Sequence, residues 1–180
     1  MSRITGPGAS RAEIASQIVL PMLASSATLY YAIYNSQTVL QIVLAGLLGF
    51  DIAGGIVTNS TSSAKRWYHR SGQGFWQHMG FISLHLVHLS IVAFTFGTGY
   101  FWLLMHGLVL ILSSTAILLS AIYLQRTISL SVYSLALIIS MMFGSVPGLE
   151  WFLPLFYLKL LVAHLPVEEP YRPIEEEKKQ

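Results

Sequence analysis

The chain has 180 residues, 54% of them hydrophobic and 10% charged, with a mean hydropathy of +0.61 and a formal net charge of +2. This is too apolar and too charge-poor for an ordinary soluble domain, and the small net charge argues against nucleic acid as a partner. The absence of cysteine excludes disulfides, thiolate metal sites and thiol nucleophiles.

In chain order, the arginine-bearing start MSRITGPGASRAEI leads into an apolar run with no small-residue cleavage motif after it, which reads as a retained span. Six apolar stretches then stand out, at about 14–34, 38–58, 75–96, 100–122, 128–146 and 149–165. Between them lie NSQ, a longer polar segment from Asn59 to Gly74, GTG, a QRT turn and GSVPG. A crossing takes about 20 residues, so six of them use up residues 1–166 as one transmembrane domain. Within this length no room remains for a separate soluble catalytic domain. The expected fold class is therefore all-α, a polytopic transmembrane helix bundle of about six spans. The last stretch is short for a crossing, and five spans with a re-entrant final segment is the alternative. Residues 167–180, acidic and proline-interrupted, read as a solvated cytoplasmic tail.

Loop charges set the expected orientation. With the N-terminus inside and six spans, Arg3, Arg11, Lys65, Arg66, Arg70, Arg126, Arg172, Lys178 and Lys179 all fall on the cytoplasmic side, and only Lys159 lies within a span. The expectation is a multi-pass protein of the cell membrane with both termini cytoplasmic. Aromatic residues agree: Tyr30, Tyr31, Tyr34, Tyr100, Phe101, Trp102 and Trp151 fall at the outer interface, and Trp67, Tyr68, Trp76 and Tyr123 at the inner one. Ala45, Gly49 and Ala53 recur every four positions, a smooth stripe for close helix packing.

Ionisable residues inside the spans carry the functional reading, because each is costly there unless paired, protonated or facing water. Asp51 in the second span and Lys159 in the sixth lie at similar depth and suit an ion pair. His78, His85 and His88 project from one stripe of the third span, within an arc of about 80°. Depth matching puts Asp51, His78, His85, Lys159 and His164 in the inner half as a catalytic set, with Asp51, His78 and His85 as a metal trio suited to zinc or iron. His88 and His106 sit on antiparallel neighbours joined by GTG and face each other toward the outer side, as the axial pair of a haem alternative. The loop SAKRWYHR, through Lys65, Arg66, His69 and Arg70, suits anionic lipid headgroups, with a plain positive-inside anchor as the simpler reading.

Four functions follow from these residues. One is a membrane-embedded enzyme, metal-dependent, acting on a lipid or lipid-linked substrate from the cytoplasmic side, with membrane lipids as its partners. The others are a haem-binding electron-transfer protein, a proton-coupled transporter and an assembly or scaffold protein. Gly54–Gly55 and Pro154 are the points where a transporter's broken helices would fall. Neither the HExxH spacing of soluble metalloproteases nor the HxxxH and HxxHH patterns of membrane desaturases occurs. Polytopic lipid hydrolases with intramembrane His and Asp ligands have seven spans and a terminal HxxxH pair, and this chain has neither, so the sequence assigns no family.

Overall fold

The computed structural model describes residues 7–143 and 146–167, and among them it is helical without strands. Arg3, Arg172, Lys178, Lys179 and nearly all of the tail lie outside the described residues. Five helices are long and apolar enough to cross a membrane: α1 (Arg11–Tyr34), α2 (Val39–Ser60), the rod Phe75–Thr95, and two more at Gly99–Leu119 and Ile122–Met142. A short helix α3 (Ser62–Tyr68) follows α2, and the rod divides at His85 into α4 (Phe75–Leu84) and α5 (Leu86–Thr95). Next come α6 (Gly99–Leu119), α7 (Ile122–Met142) and α8 (Phe152–Tyr157), the last continuing as a π-helix over Leu158–His164.

The helix starts are written locally. Ser10 caps α1 and Thr38 caps α2, each in a reciprocal box with Glu13 or Gln41 three residues on, so two orphan donors are satisfied at each end. Thr61 ends α2 and caps α3 with its hydroxyl on the Ala64 amide. Helix α2 runs unbroken through Gly54–Gly55. The polar QRT segment is not a turn. Ser120 and Ala121, both extended, make the turn instead, and α7 begins six residues before the expected 128. Gln125 lies near the start of α7, and its Oε1 accepts the Val167 amide (2.9 Å), which satisfies the polar side chain there.

Side-chain bonds fix two ends of the bundle. At one end, Gln41 Nε2 donates to the Thr95 carbonyl (3.1 Å) and Gln37 Nε2 to the Pro147 carbonyl (2.8 Å). At the other, Glu13 Oε1 accepts from Ser63 N and Oγ, and Lys65 Nζ donates to the Pro166 carbonyl (2.8 Å). The last segment therefore starts beside the α1–α2 loop at Pro147 and finishes beside α3 at Pro166. It runs alongside α2 from one end of the bundle to the other, and at Phe152–His164 its helix is shorter than the five long apolar helices.

Packing explains where so short a helix sits. Phe152, Phe156, Tyr157, Leu160 and Leu161 have no exposed surface, so the last segment is the centre of the bundle. The longer helices around it turn Leu20, Leu23, Leu47, Leu112, Leu135 and Met141 outward. An apolar exterior around a partly polar interior fits lipid as the surrounding solvent. Helices α1 and α2 approach closely, since a Cβ on Gly46 would meet the Leu29 side chain at 2.7 Å and one on Gly49 the Thr28 hydroxyl at 2.3 Å. Of the expected small-residue stripe, Gly49 serves this contact, while Ala45 is buried in the core.

Candidate functional site

Asp51 sits in the middle third of α2 and joins three elements. Its Oδ2 accepts from Lys159 Nζ (2.6 Å) in the π-helix and from His88 Nε2 (2.9 Å) in α5. Both bonds fall on the same oxygen, so the other carboxylate oxygen remains for a group beside it. The Lys159 side chain is 4% exposed, whereas that of Asp51 is 48% exposed. Lys159 reaches Asp51 only by lying across Gly55, where an added Cβ would come within 2.2 Å of its Cε. Glycine here is a steric requirement of the ion pair.

His88 belongs to this centre because of the break at His85. The bonds His85 N to Ile82 O and His88 N to His85 O, both 3.0 Å, are three-residue bonds that tighten the helix locally. At about three residues per turn, positions 85 and 88 eclipse each other. Their rings accordingly stack at 5.0 Å between centroids, 11° from parallel. His85 is held by its Nδ1–H on the Phe81 carbonyl (2.8 Å). The bond from His88 Nε2–H to Asp51 leaves Nδ1 buried, with no hydrogen-bond partner among the described residues.

A second histidine group lies nearer the end marked by α3. His78 Nδ1 and His164 Nε2 are 3.2 Å apart, His69 Nε2 donates to the His164 carbonyl (3.0 Å), and the His69 and His78 rings stack at 4.8 Å. Phe81 stacks on His164 at 4.1 Å and so stands between this group and His85. His69, on the segment after α3, is pushed down to about 4 by burial, with His78 and Lys65 adding to the effect.

A cleft of about 500 Å³ opens beside Asp51. Its α2 wall is Phe50, Asp51, Gly54, Gly55, Thr58 and Asn59, a strip along one helix face. Opposite are Phe81, His85 and His88, with Gln17 of α1, Tyr68 of α3 and Lys159 completing it. Acid, base and cation thus share a cleft with aromatic and backbone surface. An unpaired carboxylate oxygen there can take a proton from a hydroxyl or a water, or give one back.

The expected inner set is therefore divided. Asp51, His85 and Lys159 line the cleft, whereas His78 and His164 form the separate group below Phe81. The metal trio Asp51, His78 and His85 does not converge: among the described residues no three His, Asp or Glu side chains are placed to share an ion. The physical reason is that the Lys159 ammonium occupies the bonding position on Asp51, while His78 is turned onto His164. These residues, as placed, do not fit zinc or iron.

The haem pair separates too. His88 is bonded to Asp51, while His106 is fully buried with its Nδ1–H on the Tyr157 hydroxyl (3.0 Å), which in turn donates to the His106 carbonyl (3.2 Å). Three of the four loop residues are committed to the protein itself, whereas Arg66 Nη1 and Nη2 are buried without a hydrogen-bond partner among the described residues. Lys65 is buried on the Pro166 carbonyl, His69 is half-buried on His164, and Arg70 lies over the Trp67 ring at 3.8 Å while donating to its carbonyl.

Residue counting from span ends missed His88 as an Asp51 partner, because the shift in helical phase at His85 has no residue signature. Gln17 was missed as well, although a lone amide in the apolar run IASQIVL was its signal. Comparison of the chain with known protein families, curated proteins and solved structures finds no match in any of the three.

Proposed function

We propose that the chain is a membrane-embedded enzyme acting on a lipid or lipid-linked substrate, with Asp51 as its acid–base residue. The observation that carries this reading is the half-exposed Asp51 carboxylate, ion-paired on one oxygen and lining a cleft between apolar helices. An ion pair taken out of water is weak evidence for stability, because desolvating the charges offsets their attraction. Here the cation is buried and the carboxylate is left accessible.

In this reading Asp51 meets the substrate directly. Lys159 balances its charge and His88 Nε2–H holds the carboxylate in place. That Nε2–H is used on Asp51, so His88 is a positioning residue. The basic residues Arg11, Lys65, Arg66, Arg70 and Arg126 gather at the α3 end, which we assign to the cytoplasmic side of the cell membrane by the charge rule for loops. The substrate then enters from the inner leaflet.

The test uses the full chain reconstituted in vesicles made from the lipids of the cells that produce it, with lipid composition followed by mass spectrometry. Wild type consumes one or more lipid species, and Asp51→Asn does so at least ~100-fold more slowly. Identical lipid profiles with wild type, variant and empty vesicles would overturn the proposal. Unchanged profiles together with loss of the fold in Asp51→Asn/Lys159→Met would leave a helix-pairing role for the triad.

A further inference from the structure

The cleft has a second polar end that the acid–base centre does not use. Asn59 is 4% exposed and lines the cleft, yet its Nδ2 has no hydrogen-bond partner among the described residues. Gln17 Nε2 is in the same state, also at the cleft wall. Buried amide donors are nearly always bonded, to protein, water or ligand. Two of them beside one cleft point to a missing acceptor.

The α1–α2 packing places them at one level. Glu13 bonds Ser63, Pro21 lies against Gly54, and Ser25 bonds the Gly46 carbonyl, so Gln17 stands level with Thr58 and Asn59. Asn59 is eight residues beyond Asp51, about 12 Å along the helix. The cleft therefore has a carboxylate toward mid-bundle and two neutral donors toward the end where Arg11, Lys65, Arg66 and Arg70 gather. A negative group is favoured at that end and disfavoured beside Asp51.

We infer that Gln17 and Asn59 form a donor pair that seats the phosphate oxygens of a phosphate-bearing amphiphile, with its apolar part toward Asp51. This rests on the functional reading above and narrows its substrate class. The two-ended cleft fits such a molecule lengthwise, phosphate at the basic interface and less polar linkage deeper.

Binding separates this inference from turnover. The full chain in detergent is titrated by calorimetry with dihexanoyl phosphatidic acid, dihexanoylglycerol and inorganic phosphate, in wild type and in Asp51→Asn. Phosphatidic acid is expected to bind at least ~10-fold more tightly than dihexanoylglycerol in both proteins. Gln17→Leu/Asn59→Leu is expected to remove that preference while holding or raising the melting temperature, because it deletes two unpaired buried donors. Gln17→Glu, which replaces a donor with an anion at constant shape, should remove it as well. Inorganic phosphate that competes with phosphatidic acid and binds as tightly identifies a free anion as the ligand of the same donors. Phosphate that fails to compete identifies the lipid headgroup. Equal binding of phosphatidic acid and dihexanoylglycerol, or an unchanged preference in both variants, would overturn the donor pair. Failed turnover with intact phosphate selectivity would sink only the enzymatic reading.

Discussion

Asp51 depends on its neighbours in different ways, and single substitutions should expose the difference. Lys159→Met leaves a carboxylate at mid-helix with only a histidine partner, whereas Asp51→Asn/Lys159→Met removes both charges. Breaking a buried pair costs more than deleting it. The expected order of melting temperature, followed by tryptophan fluorescence in detergent, is therefore wild type near the double variant, with Lys159→Met lowest. A double variant as unstable as the single one would mean that the ions themselves hold the helices together. Gly55→Ala puts a methyl where the Lys159 chain lies and should cost about 1–3 kcal/mol, while Gly54→Ala, whose nearest neighbour is Pro21 Cγ at 3.4 Å, should be neutral or mildly stabilising. The Gly55→Ala cost should largely vanish in a Lys159→Ala background, since coupled residues are non-additive. Additive costs would show that Gly55 serves backbone packing instead.

At the scale of elements, α3 and the segment after it clamp the π-helix, with Lys65 on the Pro166 carbonyl and His69 on the His164 carbonyl. The folded state holds His69 at about 4, below its ordinary 6.5. Between these values the unfolded chain binds a proton that the folded chain does not, so stability rises with pH across that window and levels off above it. The melting temperature should thus fall as pH drops from about 6.5 toward 4, and His69→Gln should flatten part of that slope. An identical pH profile in the variant would show that other groups set it. The elements also show what a sequence leaves illegible. The capping boxes at Ser10 and Thr38 and the pairing of Asp51 with Lys159 follow from residue type and depth. The stacking of His85 on His88 follows from a locally tightened turn, which no local residue pattern announces.

Among the described residues the longer helices turn apolar side chains outward around a short buried segment, and the topology can be read directly because the chain has no cysteine. Single substitutions Asn35→Cys, Ser71→Cys, Ala121→Cys and Val167→Cys each introduce one thiol at a helix end. With a membrane-impermeant maleimide on intact cells, Asn35→Cys should label at once, and the other three only after permeabilisation. Labelling of Val167→Cys from the outside would refute the sixth crossing, and labelling of Ser71→Cys would refute the orientation.

By itself the sequence determined the helical class, the long apolar runs that suit a membrane and the clustering of positive charge near one end of those runs. Those properties depend on apolar run length and loop charge, which are additive along the chain. Tertiary structure decided which polar residues meet. It joined Asp51 to His88 as well as Lys159, turned His78 onto His164, gave His106 to Tyr157, and opened the cleft that Gln17 and Asn59 line. Helix phase, local tightening and close approach over glycine set those partnerships. Each depends on neighbours far away in the chain.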